Sequence, residues 1–563
     1  MMKATQVTGG GADASQQRLV NVVEEMALAS GVAVPEIFVL EHEAGINAFA
    51  AGTTHANAAI CVTRGALERL DRAELQGVIA HEFSHVLNGD MRLNQQLIGL
   101  SFGILALSLA GRFILRGLTY TRPNRGNGKD NSALAIAVVV GIALVIIGWI
   151  GVFLSRLIKA AVSRQREALA DASAVQFTRE PQGLAGALKK IAAYGARIQY
   201  AETEEVAHML FERSSGAFSG WFATHPPLIE RIKALDPSFD PRDLPKAEPL
   251  PGPGPAVAAE RAIAAARAEG GFDMAARTAA AVSAALATMP SSSDPVRERA
   301  GQIVAPAVGG ALRDAIPKEI QDAARAQDSS LLLVAALVVA PDAPARDRQF
   351  ALLEQQLGGV RADDCRRLYE VLSEVDRHLR LTIVALALPA LKRRPAEQIR
   401  YLLDLLAKIA ALEVEPRLFD YVLIHVLTAY LRAQPTGAGP ARPAATKDAL
   451  RGAVRTLLAT VASFGNEDAS AARTAYAAGL TAIDWSDTGD APSFEPPSAT
   501  RDLAKLDDAL AALSGLQPAP KLKLLRGVLA TIRADGKIEL DEQELFRAIA
   551  ATLDCPLPPG FAL

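Results

Sequence analysis

The sequence predicts a mainly α-helical chain with a small β-sheet, an apolar helical hairpin inserted in its first half, and an all-α C-terminal region. Three observations carry this prediction. Ala and Leu are abundant while aromatics make up only 5%, a balance that favours helix. Two runs, at about 97–115 and 132–154, are apolar enough for lipid. A Pro-rich stretch at 237–257, beginning "PSFDPRDLPKAEPLPGPGPA", divides a chain whose 563 residues are too many for one ordinary core.

The first helix is predicted from "LVNVVEEMALASGV" (18–31), which has helical periodicity and stops at Gly31. "PEIFVL" (35–40) and "NAAICV" (57–62) read as short strands around a small, Gly-punctuated connection. At "DRAE", Asp71 stands three residues before Glu74, the spacing of a capping box. The helix it opens turns Leu75, Val78, Ile79, Phe83, Val86 and Leu87 toward a core and carries His81 and His85.

The two apolar runs follow. The first includes Ser101, Ser108 and Arg112; the second, "SALAIAVVVGIALVIIGWIGVFL", has no charge and is long enough for a bilayer core of about 30 Å. Together they read as a transmembrane hairpin whose flanks lie on one side. Basic residues are balanced between its loop (Arg116, Arg122, Arg125, Lys129) and its far flank (Arg156, Lys159, Arg164, Arg166), so they do not orient it. The N-terminus "MMKATQVTGGGADASQQRLV" lacks the basic and apolar regions of a signal peptide, and Cys61, Cys365 and Cys555 form no C-x-x-C or paired framework. Both features place the flanks in a reducing, cytoplasmic compartment. Beyond 156 the chain reads as helix to about 200, and "THPPLIERIKALDP" as a loop with Pro226 and Pro227 at a helix start. A helical region is expected over 258–484, a second linker at 485–502 and a last helical module over 503–563.

Formal net charge is −3, from 59 basic and 62 acidic residues. No basic stripe stands out, which argues against nucleic acid as a partner.

The candidate chemistry lies in "AHEFSH". Residues i and i+4 project from one helical face, so His81 and His85 can both reach one zinc ion at about 2.0–2.1 Å. Glu82 follows the first histidine and is placed to take a proton from water and pass it to a leaving amine. A catalytic zinc needs a third protein ligand and an open position. Asn88, Gly89 and Asp90 follow instead of the metzincin H-x-x-G-x-x-H continuation, so the third ligand comes from elsewhere. The segment returned by the hairpin, "SRQREALADASAV", offers Glu167 as ligand and Asp171, one turn on, as acceptor for the second nitrogen of a ligating histidine.

In order, "NAFAAG", "AHEFSHVLNGDMRLN", "SRQREALADASAV" and "THPPLIERIKAL" resemble the M48 family of zinc peptidases, most closely the HtpX-type membrane proteases that degrade damaged membrane proteins. The resemblance spans about residues 15–237. It implies a zincin-like metalloprotease domain over 1–236 with one Zn2+ per chain. His81, His85 and Glu167 would be the metal ligands, Glu82 the general base and Asp171 the residue behind a ligand. His225 would sit near the metal, stabilising an oxyanion or capping the zinc. Asn47, Ala48 and Phe49 match the edge segment that holds an extended substrate, which suits recognition by strand addition. The implied activity is endoproteolysis of misfolded or damaged membrane proteins at a bacterial inner membrane, by a multi-pass enzyme whose active site faces the cytoplasm. Its partners would be peptide substrates and the membrane. HtpX-type proteins carry two further transmembrane helices ahead of this domain; here one hairpin is expected.

Near the C-terminus, "ADGKIELDE" invites a calcium-loop reading, but Thr531 and Arg533 would occupy the first two ligand positions and supply no carboxylate. The stretch resembles instead the end of a TerB-like helical module, with "ADG" as a turn between helices. A second function class is a membrane scaffold with a vestigial protease domain and a partner-binding C-terminal half. The intact His81, Glu82, His85 and Glu167 weigh against it.

Overall fold

A computed structural model describes residues 4–9, 13–119, 128–194, 226–245, 296, 305–413, 417–432, 446–466, 468–484, 494 and 503–557. Among these residues the chain is mostly helical, with one small sheet. Strands β1 (Thr5–Gln6), β2 (Glu36–Leu40), β3 (Ala48–Ala51) and β4 (Ala59–Thr63) pair in the order β1-β2-β4-β3, which leaves β3 on an edge. β2 and β4 fall where the apolar alternation predicts strands. Two compact units are present: one of Met1–Ala4, Val39–Thr54 and Ile60–Leu250, the other of Thr5–Phe38, His55–Ala59 and Pro251–Leu563.

In the first unit, α2 (Arg64–Arg69) leads into α3 (Arg72–Leu87). Asp71 caps α3: its carboxylate accepts from the Glu74 backbone N–H, and the Glu74 side chain accepts from the Asp71 N–H. Lys190 Nζ donates to Glu74 at 2.6 Å and fixes this start. α3 packs against β3, α5 (Gly128–Thr178) and α6 (Pro181–Tyr194). Gly77 permits the α6 contact, since a Cβ there would lie 2.6 Å from the Leu184 backbone nitrogen. α7 (Leu228–Leu235) packs on α6, with Pro227 at its N-cap position.

α4 (Asp90–Thr119) and α5 form the apolar hairpin, and both are long and apolar enough to cross a membrane. Their outer faces expose Phe102, Phe113 and Trp149, while small residues make the inner seam. A Cβ on Gly148 would lie 2.7 Å from the Ser108 backbone nitrogen, and the Ser101 and Ser155 hydroxyls are 2.6 Å apart. Sequence reading separates the second apolar run from the helix after 156. The structure joins them in one 51-residue helix, because no Gly or Pro occurs between Val152 and Thr178 to break it. Glu167 and Asp171 are thus carried on the arm that forms the hairpin.

In the second unit, α1 (Ala14–Ser30) is capped by Asp13 and ends at left-handed Gly31. It packs against α8 (Pro306–Asp314), where a Cβ on Gly309 would collide with the Glu25 carbonyl. Arg325, at the end of α9 (Lys318–Arg325), grips Glu24 at 2.9 and 2.7 Å. The short turn His55–Asn57 belongs to this unit too. Asp554 accepts from the His55 backbone N–H at 3.3 Å and meets its ring Nδ1 at 2.7 Å. Lys392, the last residue of α10 (Arg380–Lys392), donates to the Ala56 carbonyl, and burial pushes its pKa down to about 8. Further on are α11 (Leu418–Arg432), α12 (Pro518–Ile532) and α13 (Leu540–Thr552). "ADG" makes the predicted turn: Arg533–Asp535 is one short helical turn closed by Gly536 at φ 75°.

Candidate metal centre

α3 places His81 and His85 one turn apart, with their Nε2 atoms 3.2 Å from each other and their ring planes at 87°. α5 brings Glu167 against both: Oε2 is 3.4 Å from His81 Nε2, and Oε1 is 3.6 Å from His85 Nε2. These three are the cluster among the described residues whose ligand atoms converge for a metal ion. Bonds of about 2.0–2.1 Å in tetrahedral directions put neighbouring ligand atoms about 3.3 Å apart, so two imidazoles and a carboxylate at these separations fit zinc.

Each ligand is held from behind. His81 Nδ1 lies 3.0 Å from Asp171, and His85 Nδ1 lies 2.9 Å from Asp90. Arg231, on α7, donates to both Asp171 oxygens and approaches Glu167 at 3.5 Å. Arg166 approaches Asp90 at 3.1 Å. Burial opposes a charged His81, yet the Asp171 and Glu167 carboxylates outweigh it and push its pKa up to about 9. An imidazole whose surroundings so favour positive charge also suits a cation.

Glu82 is 4% exposed, and burial raises its carboxyl above the usual range, against the pull of His85 and His81. The Ala50 backbone N–H bonds to this carboxylate, so edge strand β3 runs directly beside it. Asn47 is buried; its N–H donates to Thr63 Oγ1 and its carbonyl accepts from the Thr63 N–H. Ala48 and Phe49 lie on β3 itself. Of the predicted site residues, His81, Glu82, His85, Glu167 and Asp171 gather in one place, with β3 alongside. His225 lies outside the described residues.

Two residues of this site escape sequence reading. Asp90 is five positions past His85, off the turn-by-turn spacing, and reaches it only because Gly89 (φ 69°) reverses the chain between α3 and α4. Arg231 stands inside the "THPPLIERIKAL" motif and passes there as a surface charge. No local feature of the motif separates it from an exposed charge.

A model of peptidase family M48 matches residues 13–238. The protease HtpX homolog of Dictyoglomus thermophilum is 39% identical over 217 residues, covering 38% of this chain and 68% of that protein. The corresponding protein of Thermoanaerobacter pseudethanolicus is 40% identical over 217 residues, with 38% and 70% covered. The chain belongs to peptidase family M48. The M48 relation extends to the protease HtpX homolog of Bacteroides fragilis, 35% identical over 228 residues, with 39% and 68% covered. No solved structure matches this M48 chain significantly. Its matched region is thus an HtpX-type peptidase that acts on protein substrates, and residues after 238 lie beyond the family match.

Proposed function

We propose that this M48 chain is a membrane-anchored zinc endopeptidase with a zincin-like catalytic fold. The observation that carries the reading is the triangle of His81, His85 and Glu167, whose edges of 3.2, 3.4 and 3.6 Å suit a tetrahedral ion. Zinc held by these three residues would supply Lewis acidity toward a peptide carbonyl and toward water.

The chain's own residues do the rest. Glu82 takes a proton from the attacking water and returns it to the leaving amine; a carboxyl raised by burial is suited to both transfers. Asp171 and Asp90 fix the ring orientation of the two histidines. β3, with Ala48 and Phe49, receives the substrate as an added strand next to Glu82. Because the Ala50 N–H faces Glu82, the period-two alternation of a strand turns the Ala48 backbone groups to the same open side. His225, as the family resemblance implies, would stabilise the developing oxyanion or cap the metal. The hairpin anchors the enzyme in a bacterial inner membrane with both flanks in the cytoplasm, where misfolded membrane proteins are within reach. The apolar outer faces of α4 and α5 support the anchor.

Zinc content and casein cleavage of detergent-purified protein, beside its Glu82→Gln form, test the reading. The expected result is about one zinc per chain in both, with cleavage in the unaltered enzyme alone. Undiminished cleavage by Glu82→Gln would falsify the mechanism.

A further inference from the structure

The second unit contains a cavity of about 60 Å³ that the peptidase chemistry does not use. It opens between the end of α1, α10, α11, α13 and the Pro556–Leu557 segment. Its walls are apolar, with Leu28, Val426 and Leu557 among them, and three polar side chains interrupt them: Thr382, Tyr430 and Arg547. Thr382 is 3% exposed and Tyr430 8%, while Arg547 is partly buried.

All three bring hydrogen-bond donors, and among the described residues none of the three side chains makes a hydrogen bond or an ion pair. Buried polar groups are normally paired, and three unpaired donors facing one cavity suit it to an acceptor. Burial also lowers the pKa of Arg547, because its charge is poorly compensated there. The acid with the largest influence on it, Glu544, is itself pushed up to about 7 by burial.

We propose that this cavity binds the carboxylate end of a small aliphatic molecule or chain. A carboxylate matches the fork of a guanidinium and accepts from hydroxyls as well. One water occupies about 10–15 Å³ by this measure, so the space takes a carboxylate and one to three carbons. The open mouth lets a longer chain continue outward. A phosphate would meet the same donors but would leave the apolar wall facing an anion. Two sources share the favoured chemistry: a free short-chain acid and the C-terminal carboxylate of a peptide ending in a small apolar residue. The cavity lies apart from the zinc ligands, and its binding is measured without turnover.

The experiment is calorimetry on the full-length protein in detergent. Its probes are sodium propionate, acetyl-Ala-Ala with a free carboxylate, and the same dipeptide as its carboxamide. Saturable binding of a carboxylate probe with Kd on the order of 1 mM or tighter is expected, with none of the carboxamide. Tighter binding of propionate assigns the free acid, and tighter binding of the dipeptide assigns a chain terminus. Arg547→Gln should weaken binding by about tenfold or more, and Tyr430→Phe by about threefold. Should Arg547→Gln not fold, Tyr430→Phe and Thr382→Val decide, because each removes a hydroxyl with little change of shape. Absence of carboxylate binding, equal binding of the carboxamide, or unchanged affinity in the folded variants overturns the proposal.

Discussion

Arg231 holds Asp171 by both oxygens, Nε at 2.8 Å and one terminal nitrogen at 2.7 Å, and Asp171 in turn meets His81 Nδ1 at 3.0 Å. A chain from guanidinium to carboxylate to imidazole therefore sets the plane in which His81 presents Nε2. Arg231→Lys keeps the positive charge beside Glu167 but loses the two-pronged grip. Zinc affinity, measured by chelator competition, should fall by roughly 10- to 100-fold, the usual cost of removing support behind a ligand. An unchanged affinity would mean that packing alone orients His81.

Asp90 supports the other histidine from the side, at 2.9 Å from His85 Nδ1. Asp90→Asn leaves the shape and removes the charge. Zinc should dissociate faster from Asp90→Asn than from the unaltered protein, and the double variant with Arg231→Lys should lose more than either alone. Dissociation rates followed with a colorimetric chelator would show this. Equal rates in all forms would remove Asp90 from the site.

What the sequence made legible was local. The Asp71 cap, the His81–Glu82–His85 face and the apolar arms each depend on residues within a few turns of one another. Glu167 is legible because the hairpin must return its second arm beside α3. Arg231 and Asp171 are sixty positions apart, and nothing local marks an arginine that will be buried rather than solvated. The length of α5 is hidden because a change from apolar to charged residues looks like a boundary although no breaker stands there. Least visible was the grouping of α1 and the His55–Asn57 turn with the C-terminal helices. That grouping rests on pairs such as Arg325 with Glu24, which are about three hundred residues apart.

The His55–Asp554 pair predicts how the His55–Asn57 turn is restrained. One carboxylate oxygen meets both the backbone N–H and the ring of His55, and Asp554 itself has left-handed backbone at φ 57°. Asn tolerates that conformation and keeps an acceptor, whereas Ala loses both advantages. Hydrogen exchange of residues 55–58 should quicken in Asp554→Ala and stay near the unaltered rate in Asp554→Asn. Unaltered exchange in Asp554→Ala would show that Lys392 and the Ala56 carbonyl suffice.

Glu544 gives a pH prediction. Burial raises its folded pKa to about 7, against the pull of Arg547, above an unfolded value of about 4.3. The folded state therefore binds this proton more tightly than the unfolded chain does. The resulting stabilisation is full below pH about 4.3 and is lost as pH rises through about 7. Glu544→Gln removes that slope, so the variant should gain on the unaltered protein as pH rises, by about 1–3 kcal/mol at pH 8. Thermal or denaturant melts between pH 4 and 8 would measure the difference, and parallel curves would contradict it.

The last prediction separates the hairpin's inner seam from its outer face. At Gly148 a Cβ would lie 2.6 Å from Ser108 Cβ and 2.7 Å from the Ser108 backbone nitrogen. No rotamer relieves a collision with backbone, so Gly148→Leu must push α4 and α5 apart. At Gly103, on the same hairpin, a Cβ would meet nothing within 4 Å, so Gly103→Leu adds only apolar surface. Both substitutions keep the arms apolar, and both proteins should resist extraction from membranes by carbonate. They should differ in zinc. α5 is one continuous helix from the seam to Glu167, and the other two ligands sit on α3, which leads directly into α4. Gly148→Leu should therefore lower the zinc content of purified protein, and Gly103→Leu should leave it unchanged. Equal zinc in the two variants would mean that packing of α5 against α3 alone holds Glu167 in place. Release of the unaltered protein by carbonate would remove the membrane anchor from the proposed function.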